Sequence, residues 1–288
     1  MAELRRVLIE PQRLAGCGQE LELTSDERHY LEKVLRLRSG SPFAIVDGQG
    51  GLHQAELRSN GWAQQGECME QQPRQEPELV LLMGLIRRDF EIVVRMACEL
   101  GVDQIRPLQA QRSVVEPKSQ RPQRWQSQLQ EACKQCERLW LPQLQPVSSA
   151  RDGLSQAKAA GELRCIGVTR EPGVPLLAEV LEAAPSVQRW QLACGPEGGW
   201  TPDERQTAAD HGWQPVSLGP TILRASTAAI SLSPDATPQA TAQRCRPPTI
   251  CLKPAKAAPG RRRRGRALAG FSKSAAKVSV LRTGASFF

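Results

Sequence analysis

The spacing of apolar residues changes near residue 78 and divides the chain into two parts. Short apolar runs before this point predict strands over residues 6–10, 43–46 and 52–57. The glycine-rich segment 47–51 predicts a hairpin turn between the last two of them. One stretch, 25–38, has helical spacing instead, with Ser25 as its expected cap. These patterns predict a small β-rich domain over residues 1–73.

From residue 78 onwards, near-continuous apolar runs alternate with segments of helical spacing. The runs predict strands over residues 79–86, 104–108, 163–168, 187–193 and 213–218. Helices are predicted over residues 90–100, 125–139 and 176–183, and after Thr201, where Pro202 and Glu204 complete a capping box. Apolar runs of this kind are typical of strands buried on both faces. The alternation therefore predicts an α/β domain over residues 78–233, with a mostly parallel sheet and helices on both of its faces.

Two glycine loops follow the last two predicted strands. The first is Gly195-Pro-Glu-Gly-Gly199, and the second extends from Leu218 through Gly219 to Arg224. Glycine has no Cβ, so such loops turn sharply and let the backbone approach a ligand closely. Because ligands of open α/β sheets bind where strands end and loops begin, the two loops predict one cofactor pocket that is built mostly from main chain.

Length and hydropathy place limits on the class of protein. The chain has 288 residues, which is enough for about two domains. It contains no run of about 18 apolar residues, so no membrane span is predicted. Its first residues lack the apolar stretch of a signal peptide. We therefore expect a cytoplasmic protein that does not associate with membranes.

The net charge of +8 is concentrated at the end of the chain. Residues 234–288 contain twelve Lys and Arg but one acid, giving +11, whereas the rest of the chain carries −3. Prolines recur in this segment without any apolar period, so we predict a disordered, basic tail rich in Pro, Ala and Arg. One hypothesis for the whole chain is therefore a nonspecific nucleic-acid binder that acts through the tail, with steep salt dependence.

The nine cysteines are an odd number and are scattered along the chain, which does not favour a disulfide framework. Cys133-Lys-Gln-Cys136 has the CxxC spacing of some metal and redox sites, but it falls within a helical pattern and no second pair lies near it. The favoured interpretation is two reduced thiols on the buried face of a helix. No metal is predicted.

Several sequence blocks together resemble a known family. In chain order they are Glu99-Leu-Gly-Val102, Gln111-Arg-Ser-Val-Val115, Glu131-Ala-Cys-Lys-Gln-Cys-Glu-Arg138, Gly195-Pro-Glu-Gly-Gly199 and Leu218-Gly-Pro-Thr-Ile-Leu-Arg224. They resemble the bacterial small-subunit (16S) ribosomal RNA uridine-N3 methyltransferases (RsmE type) of the SPOUT superfamily. Arg5-Arg6 and the segment from His29 to Arg38 resemble that family's N-terminal domain as well, so the resemblance covers residues 4 to about 231.

The resemblance implies a fold, a cofactor and partners. The fold is a SPOUT-type, trefoil-knotted α/β domain with a small N-terminal PUA-like β-barrel that grips RNA. The implied cofactor is S-adenosylmethionine, and the partners are small-subunit ribosomal RNA or the assembled small subunit and a second copy of the chain. The implied cofactor-binding residues are Thr169, Gly195, Pro196, Gly198, Gly199, Leu218, Gly219, Ile222, Leu223 and Thr227, and the implied RNA contacts are Arg5, Arg6, His29, Arg36, Arg38 and Arg112.

Two residues are expected to serve the chemistry. Uridine N3 normally carries a proton, so the site must remove it or stabilise the uracil anion. Arg224 suits the second task, because a guanidinium is always charged and can donate to two oxygens. Glu197 could accept a proton, or orient the cofactor or its loop; the alternative is that it only satisfies nearby loop N–H groups. Arg112 could contact an RNA phosphate or the partner subunit, or it could be an ordinary surface arginine.

The chain departs from the family pattern at two points after Arg224. Ser226 stands where the family usually has Glu, so no glutamate role is carried over there. The family's long apolar helix begins here at Thr227, but Pro234 is expected to end it early. The tail could be a genuine extension that holds ribosomal RNA by charge or an out-of-frame translation, and the abrupt change in composition slightly favours the second. An alternative function is therefore an RNA-binding homologue that is catalytically impaired because this helix is truncated.

Overall fold

A computed structural model describes residues 4–14, 16–116, 122–184 and 186–232. The predictions for the basic tail at 234–288 and for the helix end at Pro234 lie outside the described residues.

The N-terminal part forms a five-stranded sheet. Its strands are β1 (Arg6–Leu8), β2 (Glu20–Glu22), β3 (Pro42–Val46), β4 (Gly51–Leu57) and β5 (Trp62–Gln71), in the order β1-β3-β4-β5-β2. The β1–β3 pair is parallel and the other pairs are antiparallel. The three predicted strands and the hairpin between β3 and β4 are confirmed, whereas β2 and β5 were not predicted.

The predicted helix over 25–38 is shorter than expected and begins differently. The structure has α1 (Ser25–His29), followed by one π-helical turn at Tyr30–Val34. Ser25 is not the cap: the Thr24 hydroxyl accepts a hydrogen bond from the Glu27 N–H, and the Glu27 carboxylate accepts one from the Thr24 N–H. Glu27 stands three residues after Thr24, so Thr24 completes the reciprocal capping box.

The second part forms a seven-stranded sheet in which every pair is parallel. Its strands are β6 (Glu78–Gly84), β7 (Gln104–Gln109), β8 (Gln143–Leu144), β9 (Ser148–Ser149), β10 (Glu162–Gly167), β11 (Arg189–Cys194) and β12 (Gln214–Val216). The order is β12-β10-β11-β6-β7-β8, with β9 also beside β7. All five strands predicted for this part are confirmed; the two-residue strands β8 and β9 were not predicted.

Helices pack on both faces of this sheet, as predicted. They are α2 (Phe90–Glu99), α3 (Pro122–Gln135), α4 (Ala150–Leu154), α5 (Leu177–Glu182), α6 (Pro202–Asp210) and α7 (Ala225–Ser231). Along β6, Leu81 and Met83 join a core with α2, α3, α5 and α7, whereas Val80 and Leu82 join a core with α4 and α6. The capping box at Thr201 is also confirmed. The trefoil knot stays a prediction.

Backbone hydrogen bonds join the N-terminal sheet to the second domain. The hairpin turn after β3 reaches the segment that follows α3, where Gly50 N–H donates to the Leu139 carbonyl and Leu141 N–H donates to the Gly48 carbonyl. Arg6 of β1 reaches the same region and donates to the Glu137 carboxylate at 2.7 Å and to its carbonyl at 2.9 Å. These contacts hold the N-terminal sheet against the second domain.

A buried ion pair lies at the start of β10. The Arg164 and Glu162 side chains are 1% and 2% exposed, and their charged groups are 2.8 Å apart. The same guanidinium also donates to the carbonyls of Gln156, Ala157 and His211. Because each of these carbonyls belongs to a loop or helix end, Arg164 fastens the amino-terminal edge of the sheet.

The part of the chain that the structure describes contains no helix with the length and hydropathy of a membrane span.

Candidate active site

A cavity of about 610 Å³ opens at the carboxyl ends of β10, β11 and β12. Its walls are formed by the loops after these strands and by one side of α7, which contributes Ala225 and Ala228. Cys194 at the end of β11 donates weakly from Sγ to the Ala225 carbonyl at 3.5 Å, which ties the strand to the helix. Burial raises the pKa of Cys194 to about 12, so this thiol remains a neutral part of the wall.

Two glycines of the first loop, Gly195–Gly199, have neighbours that leave little space for a side chain. A Cβ on Gly198 would lie 2.8 Å from the Cβ of Arg112, and one on Gly195 would lie 3.2 Å from the Trp200 ring. Gly199 has a φ of 67°, which glycine adopts at no steric cost. Gly195 and Gly198 therefore bring main chain to the cavity wall where a side chain would be crowded.

The second loop leads from β12 into α7. Gly219 has a φ of 126°, and its N–H donates to the Ser217 hydroxyl at 3.3 Å. Ile222 is 60% exposed at the cavity, an unusual position for a large apolar side chain. The loop thus combines a main-chain turn with apolar side chains that can contact a flat, apolar part of a ligand.

Nearly all predicted cofactor residues meet at this cavity. Those that line it are Thr169, Gly195, Pro196, Gly198, Gly199, Leu218, Gly219, Ile222 and Leu223. Thr227 is exposed on α7 and is not among the described residues that line the cavity. Their roles as ligands of a cofactor stay predictions.

Glu197 lies on the cavity wall, and its carboxylate is engaged. Its Oε1 accepts a hydrogen bond from the Arg87 N–H at 2.9 Å. This hydrogen bond is the kind of contact expected if Glu197 only satisfies nearby loop N–H groups. It links the first glycine loop to the loop after β6.

Arg112 contacts the first glycine loop directly. One of its guanidinium nitrogens lies 3.2 Å from the Gly198 carbonyl and 3.3 Å from the Trp200 carbonyl. The side chain also lines the cavity. Arg112 therefore supports the first glycine loop, whatever else it contacts.

Arg224 occupies the N-cap position of α7, and its side chain is exposed. It does not line the cavity, but the residues on either side of it, Leu223 and Ala225, do. Arg224 thus lies at the rim of the cavity, and its role in the chemistry stays a prediction.

The predicted RNA contacts of the N-terminal part have different surroundings. Arg5, His29, Arg36 and Arg38 are exposed on that part. Arg6 is half-buried and bound to Glu137, so it contributes to the contact between the two domains. None of these residues is among the described residues that line the cavity.

Two residues that support the cavity wall were not singled out from the sequence. Trp200 is 7% exposed and packs against Gly195, and Gly84 of β6 lies against Pro196. The position of Trp200 directly after the glycine loop was a usable signal. Gly84 gave none, because its neighbour is 112 residues away in the chain.

The CxxC cysteines lie in the core between α2 and α3. Cys133 is buried and Cys136 is partly buried, as the favoured interpretation expects. Cys98 of α2 lies beside them, and its hydrogen bond with Cys133, together with burial, raises its pKa to about 12. Among the described residues, no group of three or more His, Cys, Asp or Glu side chains could hold a metal ion.

Comparisons with family models and known proteins agree with this architecture. A model described as an RNA methyltransferase domain matches residues 74–234, and one described as an RNA methyltransferase PUA domain matches residues 23–60. The ribosomal RNA small subunit methyltransferase E of Synechocystis sp. is 37% identical over 229 residues, covering 77% of this chain and 74% of its own. The protein of the same name from Mycobacterium bovis is 28% identical over 227 residues, covering 75% and 85%.

Solved structures give the same result. The ribosomal RNA small subunit methyltransferase E from Neisseria gonorrhoeae, bound to S-adenosyl methionine, has a TM-score of 0.68 at 26% identity and covers 80% of this chain and 94% of its own. A Legionella pneumophila protein in complex with the cofactor SAM has a TM-score of 0.71 at 24% identity, covers 81% and 97%, and supports the fold. The resemblance drawn from the motifs is therefore confirmed, and the chain belongs to the RNA methyltransferase family whose named members are ribosomal RNA small subunit methyltransferases E.

Proposed function

We propose that this chain transfers the methyl group of S-adenosylmethionine to N3 of a uridine in small-subunit ribosomal RNA. The observation that carries the proposal is that the two glycine loops close on one cavity at the carboxyl ends of parallel strands. Relatives of the chain are named as ribosomal RNA small subunit methyltransferases. The rival hypothesis of an impaired RNA-binding homologue gains no support from them.

The cavity suits this cofactor in size and chemistry. Its volume of about 610 Å³ falls in the range of about 300–1,000 Å³ that is usual for small-molecule sites. The glycine loops offer main-chain donors and acceptors, and Leu218, Ile222 and Leu223 offer apolar contacts for a flat heterocycle. We assign the adenine and ribose end to the second loop, with Gly195–Gly199 holding the opposite wall.

The protein's task is mainly to position the reactants and to stabilise charge. S-adenosylmethionine supplies a methyl group that its sulfonium already activates. Holding two reactants in line contributes up to roughly 7–11 kcal/mol to a barrier reduction. As N3 loses its proton, charge builds on the uracil O2 and O4 atoms, and the Arg224 guanidinium at the rim can donate to such oxygens.

Gly84→Ala tests the tight packing behind the first glycine loop. A Cβ at Gly84 would lie 2.7 Å from the backbone nitrogen and Cδ of Pro196, so the loop must shift. We expect unfolding free energy to fall by about 1–3 kcal/mol and S-adenosylmethionine affinity to fall about tenfold. Chemical denaturation and isothermal titration measure the two effects.

Gly167→Ala is the control, because its new Cβ would be 3.5 Å from the nearest atom, an ordinary contact. Its stability should change by less than about 1 kcal/mol. Equal losses of stability in the two variants would contradict the packing argument.

We also propose that the enzyme works as a homodimer in the cytoplasm, where ribosomal RNA is modified. Two large apolar side chains of the second domain are exposed in the single chain: Ile92 of α2 at 44% and Val114 at 73%. Their exposure supports a surface that a second copy of the chain covers in the dimer. Sedimentation equilibrium tests this; a monomer at micromolar concentration would contradict it.

The proposed function is tested by incubating the full-length protein with S-adenosylmethionine and small subunits that lack the modification. We expect one methyl group per subunit, found by nucleoside mass spectrometry as 3-methyluridine. Methylation at another atom would overturn the assignment to N3, and no methylation with retained RNA binding would favour the impaired homologue.

A further inference from the structure

Two adjacent arginines, Arg87 and Arg88, lie beside the cavity on the loop between β6 and α2. Both side chains are exposed, and within the described part of the chain neither makes a hydrogen bond or an ion pair. Three exposed arginines elsewhere in this domain, by contrast, are neutralised by acids, in the pairs Arg95–Glu99, Arg124–Glu91 and Arg205–Glu171. Two neighbouring guanidinium groups are thus available to an anion from outside the chain.

The loop that carries these arginines is held firmly at both ends. Leu85 and Ile86 before them are 0% and 3% exposed, and Phe90 after them is 4% exposed. The Leu85 N–H also donates to the Leu108 carbonyl at 2.8 Å. Because the backbone on either side is anchored in the core, the two arginines project from a fixed position, and little ordering is needed when they bind.

The same loop is tied to the first glycine loop. The Glu197 carboxylate accepts the Arg87 N–H at 2.9 Å, and Gly84 at the start of the loop packs directly against Pro196. Both Glu197 and Pro196 line the cavity. The position of the two arginines is therefore linked to the wall of the cavity.

We propose that Arg87 and Arg88 bind the phosphate backbone of the substrate RNA next to the reacting nucleotide, and that Glu197 is the positioning residue that holds their loop. This inference rests on the proposed function, which supplies the RNA. Guanidinium groups match phosphate in charge and in bidentate geometry, and phosphate contacts set the register of a bound nucleic acid. In this arrangement Glu197 acts through an acceptor oxygen and not as a base.

The first test is the double variant Arg87→Gln/Arg88→Gln in the full-length protein. We expect the KM for unmodified small subunits to rise about tenfold while kcat changes less than threefold, since register and affinity are lost but the chemistry is kept. The salt slope of RNA affinity should fall by roughly 0.7 for each lost phosphate contact. The Kd for S-adenosylmethionine should stay within twofold.

The matched control is Arg95→Gln/Lys158→Gln, which also removes two exposed charges but not beside the cavity. Arg95 is on α2, and Lys158 precedes β10, next to Gly212. This control should leave KM and the salt slope unchanged. An equal effect of both double variants would mean that net charge alone matters, and would overturn the proposal.

The second test separates positioning from proton transfer at Glu197. Glu197→Gln keeps an oxygen that can accept the Arg87 N–H, whereas Glu197→Ala removes it. We expect Glu197→Ala to raise KM about as much as the arginine variant does, and Glu197→Gln to raise it less, because glutamine keeps an acceptor for the Arg87 N–H. A large loss of kcat in Glu197→Gln would identify a base and overturn the positioning role.

Direct titration of RNA decides the inference separately from the proposed function. If wild type does not methylate, the function fails, but the RNA affinities of the variants still test the arginines. An unchanged RNA affinity and salt slope would overturn the inference even in an active enzyme. Weaker S-adenosylmethionine binding with normal RNA binding would mean that the arginines bind the cofactor carboxylate, and would also overturn it.

Discussion

Arg164→Ala is expected to lower the free energy of unfolding by about 3–5 kcal/mol, the largest loss of stability that we predict for a single substitution. The guanidinium is 1% exposed and is bound to the Glu162 carboxylate and to three carbonyls. Removing it leaves a buried carboxylate without its cation and carbonyls without a donor. The total free energy of unfolding of a native protein is only about 5–15 kcal/mol, so this loss is a large fraction of it.

Urea denaturation followed by circular dichroism measures this effect, and Arg205→Ala is the matched control. The Arg205–Glu171 pair is as close, at 2.6 Å, but its side chains are 45% and 31% exposed. Exposed pairs contribute about 0–1 kcal/mol, so the control should be nearly neutral. Similar losses for the two variants would contradict the argument that burial decides the cost.

Glu162→Gln provides a milder variant in case Arg164→Ala does not fold. Burial raises the pKa of Glu162, but hydrogen bonds from Gln191, Ala159 and Arg164 and the charge of Arg164 outweigh it, so the pKa lies below its ordinary value. The folded state therefore favours the carboxylate. Glutamine keeps one of the two acceptor oxygens and leaves the guanidinium without its anion, but the three carbonyls keep their donor. Stability should therefore fall by less than with Arg164→Ala but by more than with Arg205→Ala.

The sequence predicts the second domain better than the first, for a physical reason. A strand buried on both faces, such as β6, must be apolar throughout, and this leaves a clear run in the sequence. By contrast, β5 (Trp62–Gln71) is exposed along much of its length and contains Gln and Glu, so it was not predicted. The strands β8 and β9 have two residues each, too few for any period.

The cavity was predictable because it is made of local sequence. Both glycine loops are contiguous segments, and glycine marks a main-chain site without further information. What could not be predicted is which distant groups meet them. The hydrogen bond from the Arg87 N–H to Glu197 spans 110 residues, and that from Arg112 to Gly198 spans 86. Such contacts depend on the order of strands in the sheet. The sequence does not show that β6 and β11 are neighbours, and only the structure does.

Arg6 shows the same limit for a charged residue. The resemblance predicts an RNA contact, which stays a prediction, and the structure adds a contact that the sequence did not indicate: Arg6 donates to Glu137 between the two domains. A surface charge and an interdomain charge look alike in a sequence. Tertiary contacts therefore change the interpretation of single charges more than that of glycine loops.

Arg224→Lys and Arg224→Ala are expected to lower kcat by about 10²–10³-fold while the Kd for S-adenosylmethionine changes less than threefold. Arg224 is exposed at the rim between two cavity-lining residues, so its guanidinium can reach a second substrate without lining the cofactor cavity. Lysine keeps the charge but lacks the planar pair of donors that fits two oxygens. Single-turnover methylation and isothermal titration measure the two quantities.

The pH dependence of methylation distinguishes charge stabilisation from a merely structural role of Arg224. If Arg224 stabilises the uracil anion, it lowers the pKa of N3 in the bound uridine, so wild type forms the anion well below the pKa of free uridine. In the variants the bound N3 keeps its ordinary pKa, and less of the anion forms at the same pH. The deficit of Arg224→Ala should therefore shrink as pH rises, by up to tenfold per pH unit until N3 is deprotonated. A deficit that stays constant with pH, or a parallel loss of S-adenosylmethionine binding, would show that Arg224 shapes the start of α7 and does not act on the uracil.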